Sequence, residues 1–237
     1  MKELNKDIVK LMNTIKYHFK DERLLIQALT HRSYANEHDM YGMHDNERLE
    51  FLGDSVLDLI STEYIVAKYP QLKEGDMSKI KSQLISENAF STIANEIQLG
   101  EYLFLSNGEN ATGGRKRKSI LGDAFEALIG AIFLDSGDYY VTKKVALEYL
   151  VKTLKHLDSI EGILDYKTEL QEYIQSIYKV TPEYEIISAT GPDHDKVFTV
   201  IVTVNGKTVG EGVAKNRKSA EKAAAKQALS SMRGKKW

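Results

Sequence analysis

The spacing of apolar residues divides this chain of 237 residues into two parts with different periods. Up to about residue 158, apolar side chains recur every three or four positions in one segment after another, which predicts successive helices. From residue 165 the pattern changes to a helix, three strands and an alanine-rich helix. We therefore expect a multidomain protein with an all-α domain over 1–158, a linker over 159–164, and an α+β domain of order α-β-β-β-α over 165–237.

Capping residues, turns and glycines give the boundaries of the predicted elements. In the first domain they predict helices after Asp21, from Asn46 toward Tyr69, from Asp76 or Ser78 to about Ile97, over 119–134 and over 139–156. Residues 107–114 are predicted to form a flexible loop, which the basic run 115–118 follows. In the second domain they predict helices over 167–178 and 219–229 and strands over 184–188, 198–204 and 207–213. Asn205-Gly206 is predicted to form the turn of a hairpin.

The predicted helix after Asn46 carries four acids on one face. Glu47, Glu50, Asp54 and Asp58 follow one another at steps of three, four and four residues, so they are neighbours on a helix. Like charges at this spacing repel by roughly 0.2–0.5 kcal/mol a pair, while the apolar residues between them draw the helix into a core. A divalent cation would explain this arrangement, because Mg²⁺ takes hard oxygen ligands.

A second acidic pair lies in the predicted helix over 119–134, which is apolar on nearly every face. Asp123 and Glu126 are three residues apart in it, and buried carboxylates are costly unless they are paired or bind a metal. The string Leu-Gly-Asp occurs in both acidic segments, at 52–54 and 121–123. We expect each glycine to leave room for a close neighbour. Salt bridges to Lys or Arg elsewhere are the alternative to a shared metal site.

These segments resemble the motifs of a known enzyme family. The string from Glu47 to Leu57 resembles the signature of the ribonuclease III family, and Gly122 to Ala127 resembles its second catalytic motif. Residues from Asp165 to about Leu229 resemble a double-stranded-RNA-binding domain. The order and spacing resemble those of bacterial ribonuclease III enzymes over essentially the whole chain.

The resemblance implies a homodimeric endoribonuclease that depends on Mg²⁺, with Mn²⁺ as a plausible substitute, and hydrolyses double-stranded RNA. Its products would carry 5′-phosphate and 3′-hydroxyl ends with two-nucleotide 3′ overhangs, and processing of ribosomal and other RNA precursors is the expected role. Glu50, Asp123 and Glu126 would coordinate the metal. Asp54 would orient the attacking water, by hydrogen bond or by coordination, so that Asp54 and Glu126 are the expected catalytic pair.

Other residues receive weaker roles from the same resemblance. Glu47 and Glu74 are auxiliary acids, and Glu47 is expected to pair with Arg48 or with a neighbouring subunit. Asp58 is as well explained as a solvated acid. Phe51 and Leu52 are candidates for the dimer contact, although packing in the core would explain them equally.

In the second domain the resemblance assigns the RNA contacts. Double-stranded RNA is recognised mainly through phosphates and 2′-hydroxyl groups. The expected contact residues are Thr168, Gln171, Glu172, His194, Lys215, Lys218 and Lys222. The basic patch is Lys-Asn-Arg-Lys-Ser, where the family commonly has a Lys-Lys pair, and we expect its charge to preserve binding.

Charge and composition agree with this division. The 32 basic and 34 acidic residues nearly balance, but residues 165–237 hold 12 basic and 9 acidic residues, and the first 164 hold 20 and 25. Cysteine is absent, which excludes disulfides, thiolate metal sites and cysteine nucleophiles. The N-terminus lacks the apolar run of a signal peptide, and no apolar run approaches the ~18–20 residues that span a bilayer. We expect a soluble cytoplasmic protein.

Two other interpretations remain open at this point. A double-stranded-RNA-binding protein without catalytic activity would share both domains, although here all four matched acids are present. His44-Asp45 and His31 faintly resemble the helical His-Asp phosphohydrolases that act on nucleotides, but that class explains neither the repeated Leu-Gly-Asp string nor the second domain. Serine nucleophile chemistry has no support, because neither the glycine spacing nor a paired base is evident.

Overall fold

A computed structural model describes residues 8–38, 45–156, 165–192 and 195–234. The chain divides into two compact units, Met1–Ile160 and Glu161–Trp237, and each is described by itself. The predicted linker over 159–164 lies outside the described residues.

The N-terminal unit is helical. Its helices are α1 (Ile8–Ile15), α2 (Glu22–Ala28), α3 (Arg32–Glu37), α4 (Glu47–Lys68), α5 (Glu74–Leu84), α6 (Glu87–Glu96), α7 (Leu99–Tyr102), α8 (Asn107–Ala111), α9 (Lys118–Ser136) and α10 (Tyr139–His156), with a 3₁₀ turn at Gly114–Lys116. In the described part of this unit, the one extended pairing is an isolated bridge between Thr30 and Phe104. The all-α prediction is therefore confirmed.

Two local predictions for this unit are wrong, and in both cases a serine is the reason. The helix predicted through Ile97 is interrupted, because the hydroxyl of Ser86 accepts a hydrogen bond from the Ala89 N–H (3.2 Å) and starts α6. The loop predicted over 107–114 contains α8, whose first turn is capped by Ser106 through the Glu109 N–H (3.1 Å). A side-chain oxygen at the N-cap satisfies an amide that the helix itself leaves unpaired.

Helix α9 forms the centre of the N-terminal unit. It is buried on nearly every face and packs against α2, α4, α6 and α10. The crossing with α4 is very close, because a Cβ atom on Gly53 would overlap the carbonyl oxygen of Glu126, and one on Gly130 would overlap that of Leu49. The two backbones therefore touch where both helices carry glycine.

The expectation that both Leu-Gly-Asp glycines admit a close neighbour is half confirmed. Gly53 does so at the α4–α9 crossing. Gly122 instead faces α6, where a Cβ atom would lie 3.7 Å or more from the nearest atoms of Glu87. That is an ordinary van der Waals distance, so no close approach depends on Gly122.

The C-terminal unit has the predicted α-β-β-β-α order. It consists of α11 (Tyr166–Tyr178), β1 (Glu183–Thr190), β2 (Val197–Val204), β3 (Lys207–Ala214) and α12 (Arg217–Gly234). The strands form an antiparallel sheet in the order β1-β2-β3. Asn205 and Gly206 both have positive φ angles, 49° and 70°, as a type I′ hairpin turn requires.

One apolar core joins the sheet of this unit to its two helices. Leu170 and Ile174 of α11 pack with Val202 of β2 and with Ala224 and Ala228 of α12. The small alanine side chains bring α12 close to β3, where Gly210 and Gly212 leave no space for a Cβ atom. One core thereby packs both α11 and α12 against the sheet.

We expect Gly53→Ala to destabilise the N-terminal unit, because the added methyl group overlaps backbone atoms that cannot move independently. Overpacking of this kind should lower the free energy of unfolding by about 3 kcal/mol. Gly75→Ala is the matched control, since a Cβ atom there meets nothing within 4 Å, and alanine in a helix is favoured over glycine by about 0.5–1 kcal/mol. Urea unfolding followed by helical circular dichroism would measure both, and equal stabilities for the two variants would contradict the close crossing.

Candidate active site and nucleic-acid surface

The α4–α9 crossing brings three acids together. Glu50 of α4 and Asp123 and Glu126 of α9 each offer a carboxylate oxygen, and these oxygens lie within 4.8 Å of one another. All three side chains are half-buried. We call these three residues the acid cluster. Carboxylates at this spacing suit a hard divalent cation, since Mg²⁺ takes oxygen ligands at about 2.0–2.1 Å.

The acid cluster gathers carboxyl groups that burial and their mutual repulsion make costly to ionise. Burial, followed by the charges of Asp54, Glu50 and Asp123, raises the pKa of Glu126 to about 8. Burial is also the main reason that the pKa of Glu50 and that of Asp123 are raised. Within the described part of the chain, neither Asp123 nor Glu126 forms a salt bridge, so the alternative of pairing with Lys or Arg is not realised there. A bound cation would remove the repulsion, and the residues present therefore fit a divalent metal.

The other acids of the α4 stripe differ from the cluster. Asp54 is exposed and is not among the three clustered residues, although its charge acts on Glu126. The carboxylate of Glu47 pairs with Arg32 (Nη1–Oε1 3.3 Å) and not with Arg48, so the first of its two expected partners is wrong, and the neighbouring subunit stays a prediction. Asp58 is not simply solvated, because it pairs with the Nζ of Lys81 at 2.8 Å. Of the four acids of the stripe, Glu50 thus belongs to the acid cluster, Glu47 and Asp58 each form an ion pair, and Asp54 does neither among the described residues.

Glu74 lies in the first turn of α5 and is exposed. Its carboxylate accepts a hydrogen bond from the hydroxyl of Ser78 (2.7 Å). It does not belong to the acid cluster. Its position is compatible with an auxiliary role and does not by itself assign one.

A polar cleft of about 500 Å³ adjoins the acid cluster. Glu50 and Asp123 line it together with His31, Arg32, Asn36, Asn46, Glu47, Glu109 and Arg117. Arg117 pairs with Glu109, whereas Arg115 donates to the carbonyl oxygens of Gly100 and Leu103. The cleft therefore places two arginines beside the cluster, as a path for a phosphate backbone requires.

The sequence analysis missed Arg32, Glu109 and Arg117 as residues of this site. Arg117 belongs to the basic run 115–118, which was the available signal. The run could not show that Arg115 serves the fold while Arg117 faces the cleft. His31, considered for His-Asp chemistry, caps α3 by accepting from the Ser33 N–H, and His44 lies outside the described residues.

An exposed apolar surface lies on the same two helices. Phe51 of α4 is 79% exposed and Leu134 of α9 is 51% exposed. With Leu52, Leu49, Gln27, Glu47 and Arg48 they line a depression of about 670 Å³. Grouped exposed apolar side chains of this kind commonly mark an interaction surface.

The expected RNA contacts of α11 share one exposed edge. Thr168, Gln171 and Glu172 are all exposed and lie three and four residues apart, so they are neighbours on the helix. Asp165 caps this helix by accepting from both the N–H (3.2 Å) and the hydroxyl (2.8 Å) of Thr168. The polar edge is therefore held in place at its first turn.

The expected phosphate contacts lie around the start of α12. Lys215 pairs with Asp195 (2.9 Å), Lys218 is exposed, and Lys222 is half-buried. Asn216 caps the helix by accepting from the Ser219 N–H (2.9 Å). Three lysines at the positive end of a helix dipole form a surface that favours phosphate. His194, the remaining expected contact, lies outside the described residues.

Fold and site together define a class of protein: a helical unit with clustered carboxylates joined to an α-β-β-β-α unit with a basic helix start. The chain matches the family described as Ribonuclease-III-like over residues 21–154 and the double-stranded RNA binding motif over residues 166–232. The chain belongs to the ribonuclease III family and is an endoribonuclease with a double-stranded-RNA-binding motif. The family and enzyme predictions are thus confirmed, and the His-Asp interpretation is wrong.

Similar proteins cover nearly the whole chain. Ribonuclease 3 of Campylobacter jejuni strain RM1221 is 45% identical over 224 residues, which is 94% of this chain and 97% of that protein. Ribonuclease 3 of Pseudothermotoga lettingae is 42% identical over 236 residues, covering 98% and 99% of the two chains. These matches include both units.

Solved structures are similar to the N-terminal unit. The nuclease domain of ribonuclease III from Campylobacter jejuni is 44% identical, with a TM-score of 0.58, and the match covers 65% of this chain and 99% of that one. Another structure of that domain, with the same identity and TM-score, matches 63% of this chain and 99% of that one, and is described as flexible in a region involved in dimer formation.

Among the described helices of the present chain, none is long and apolar enough to cross a membrane.

We expect Glu126→Gln to abolish metal-dependent stabilisation without destabilising the metal-free protein. In EDTA the variant should melt at or above the wild-type temperature, because an amide replaces a half-buried carboxyl group that is costly to ionise. Mg²⁺ at roughly a hundred times its Kd should stabilise the wild type by about 2.7 kcal/mol, and the variant far less. Thermal unfolding with Mg²⁺ and with EDTA would measure both effects.

The control for this experiment is Glu101→Gln, which removes an exposed acid outside the acid cluster. It should keep the full Mg²⁺ response. An unchanged response in Glu126→Gln would refute its assignment as a ligand.

Proposed function

We propose that the protein is a Mg²⁺-dependent endoribonuclease that hydrolyses phosphodiester bonds in double-stranded RNA. The products would carry 5′-phosphate and 3′-hydroxyl ends with two-nucleotide 3′ overhangs. The observation that supports this most strongly is the acid cluster, in which three half-buried carboxylates approach within 4.8 Å. Membership of the ribonuclease III family supplies the reaction class.

In this proposal Glu50, Asp123 and Glu126 hold Mg²⁺, with Mn²⁺ as a plausible substitute. When bound, the ion would supply Lewis-acid stabilisation to the phosphate and the leaving oxygen and would lower the pKa of the attacking water. Asp54 is exposed beside the cluster, where its carboxylate can accept a hydrogen bond from that water and orient it. The oxygen of water would bond to phosphorus as the P–O3′ bond breaks, and the leaving 3′-oxygen would take up a proton. The phosphate would remain on the 5′-oxygen of the downstream fragment.

Auxiliary roles follow from the surroundings of the cluster. Glu47 holds Arg32 at the polar cleft, so that this guanidinium is available to the phosphate backbone of the substrate. Arg117, paired with Glu109, lines the same cleft. We keep Glu74 as an auxiliary acid that does not ligate the ion directly.

The C-terminal unit would bind the duplex. Thr168, Gln171 and Glu172 offer hydrogen-bonding groups to 2′-hydroxyls in the wide minor groove, which is how A-form RNA is distinguished from DNA. The three lysines around the start of α12 would contact phosphates, and His194 would enter a second minor groove. We assign residues 1–158 to catalysis and 165–237 to binding, with 159–164 as the linker.

Two copies of the chain would form the working enzyme. The exposed Phe51, Leu52 and the neighbouring Leu134 provide an apolar surface on the two helices that also carry the acid cluster. A dimer through this surface would bring two acid clusters to one duplex, and each would cut one strand. Staggered cuts of this kind produce the two-nucleotide overhang.

The biological role that fits this activity is the processing of ribosomal and other RNA precursors. Such precursors contain base-paired stems, which are the kind of RNA that the C-terminal unit would bind. We propose the cytoplasm as the compartment, because the precursor transcripts are found there.

Incubation with a labelled RNA duplex of about thirty base pairs, long enough for a binding unit that spans about 16 base pairs, would test this function. We expect cleavage with Mg²⁺ and none with EDTA, and no cleavage of single-stranded RNA or of a DNA duplex. Glu126→Gln should bind the duplex with unchanged affinity and fail to cut it. Binding without cleavage by the wild type in Mg²⁺ would favour the catalytically inactive interpretation.

We expect Phe51→Asp to convert the dimer to a monomer and to reduce duplex cleavage at least about tenfold, because a charge would be buried in an apolar contact. Light scattering after gel filtration would give the mass, and the duplex assay the activity. Val9→Asp, at a residue that is 53% exposed on α1, is the control and should stay dimeric. A Phe51→Asp protein that remains a fully active dimer would exclude this surface as the interface.

A further inference from the structure

A buried acid in the C-terminal unit has no role in the function proposed above. Glu221 of α12 is 8% exposed, and among the described residues of this unit it is the one charged side chain that is buried. Its carboxylate binds the Nζ of Lys167 (Oε2, 2.7 Å) and the Nε of Arg217 (Oε1, 2.8 Å). We call this arrangement the carboxylate bridge. Burial raises the pKa of Glu221, but hydrogen bonds from the two cations outweigh burial and leave the pKa below its usual value.

The carboxylate bridge joins the two helix starts to which RNA contacts are assigned. Lys167 immediately precedes Thr168 on α11, the first residue of the edge that meets 2′-hydroxyls. Arg217 begins α12 and immediately precedes Lys218, one of the phosphate-binding lysines. Glu221 therefore links the two helix ends through one carboxylate, and each link is one residue away from a proposed RNA contact.

The position of Lys167 is fixed from a second side. Its Nζ lies 4.6 Å from the centre of the Tyr184 ring, a distance at which the ring face attracts a cation. The hydroxyl of Tyr184 is buried and has no hydrogen-bond partner among the described residues. The first turn of α11 is thus anchored to β1 as well as to α12.

Stability is a poor explanation of the carboxylate bridge. Withdrawing the Glu221 carboxylate from water carries a desolvation cost, while the side chains of Lys167 and Arg217 stay 38% and 64% exposed, so that solvent screening reduces the gain from each pair. This unit already has an apolar core that joins both helices to the sheet. An ionic link between these helices does have one property that apolar packing lacks, because its directed hydrogen bonds fix the relative position of the two ends.

We propose that Glu221 is a positioning residue. It would set the distance between the exposed edge of α11 that is expected to contact 2′-hydroxyls and the start of α12 that is expected to contact phosphates. This inference rests on the proposed RNA-binding function. Phosphate groups occur in RNA and DNA duplexes alike, whereas the 2′-hydroxyl occurs in RNA alone and lets a protein distinguish the two. A fixed distance lets both contacts form at once only on a groove of A-form width. The carboxylate bridge would therefore contribute to the preference for RNA over DNA duplexes.

Simple electrostatics predicts the opposite effect of removing Glu221. Glu221→Gln makes the unit more positive by one charge and releases two cations beside the phosphate-binding surface. Charge alone should then strengthen binding to any polyanion. If Glu221 positions the helices, the same substitution weakens binding to RNA despite the added positive charge. Whether Glu221→Gln raises or lowers the affinity for RNA therefore separates the charge effect from the positioning effect.

The experiment uses the full chain in EDTA, so that no duplex is cut, with RNA and DNA duplexes of the same sequence. For Glu221→Gln we expect about tenfold weaker RNA binding, a loss of about 1.4 kcal/mol, with DNA binding unchanged or stronger. Lys167→Gln breaks the same link but removes a positive charge, so we expect it to weaken RNA binding more than DNA binding, and the double variant should bind RNA no more weakly than either single variant. Glu211→Gln, which removes an exposed acid of β3, is the control for charge and should keep the RNA-to-DNA preference.

The salt dependence of binding separates positioning from direct contact. Loss of a direct phosphate contact by Lys167 would lower the salt slope by about one and add to the effect of Glu221→Gln, and that result would overturn the proposal. Tighter RNA binding by Glu221→Gln would also overturn the proposal. A lower melting temperature of this variant with an unchanged RNA-to-DNA preference would do so as well. Should Glu221→Gln not fold by circular dichroism, Lys167→Gln tests the same link. A wild type without preference for RNA duplexes would refute the proposed function itself, whereas a wild-type preference that both variants retain would refute the positioning role alone.

Discussion

The backbone contact between α4 and α9 governs the catalytic half of this protein. Gly53 and Gly130 allow the two helices to cross with no side chain between them. Glu50 and Asp54 flank Gly53 on α4, and Glu126 lies one helical turn before Gly130 on α9. The crossing that buries the glycines therefore also determines how closely the carboxylates approach. A wider crossing, such as any Cβ atom would impose, would separate the acids and with them the site for a cation.

This arrangement places two opposing demands on one contact. Apolar packing around α9 pulls the helices together, while burial and mutual repulsion raise the pKa of Glu126 to about 8. The core has to hold these acids together before any cation binds. A rigid crossing of two long helices meets this requirement, because the acids belong to elements whose positions are fixed by residues far from the site. With a pKa of about 8, Glu126 keeps its proton near neutral pH, so a cation that binds there has to displace that proton.

The two units handle buried negative charge in different ways. In the N-terminal unit the described surroundings leave Glu126 and Asp123 without ionic partners, which favours an external cation. In the C-terminal unit Glu221 has two internal cations, Lys167 and Arg217, and the result is a fixed geometry. The first arrangement suits chemistry at a metal, and the second suits a surface that must match the shape of a duplex. A buried carboxylate can thus hold a metal where the chain supplies no cation to pair with it, and can fix the geometry of a surface where the chain does supply one.

The helical and α-β-β-β-α parts, the four acids and the hairpin at Asn205-Gly206 could all be predicted from residue spacing, because spacing fixes which neighbours share a face or a turn. The sequence also predicted the family, since the motifs are long and nearly continuous. Spacing could not show that Gly53 rather than Gly122 permits the close crossing, that Glu47 pairs with Arg32, or that a buried Glu221 joins two helices. These contacts depend on how elements cross, and periodicity within one element carries no information about the angle or distance to another.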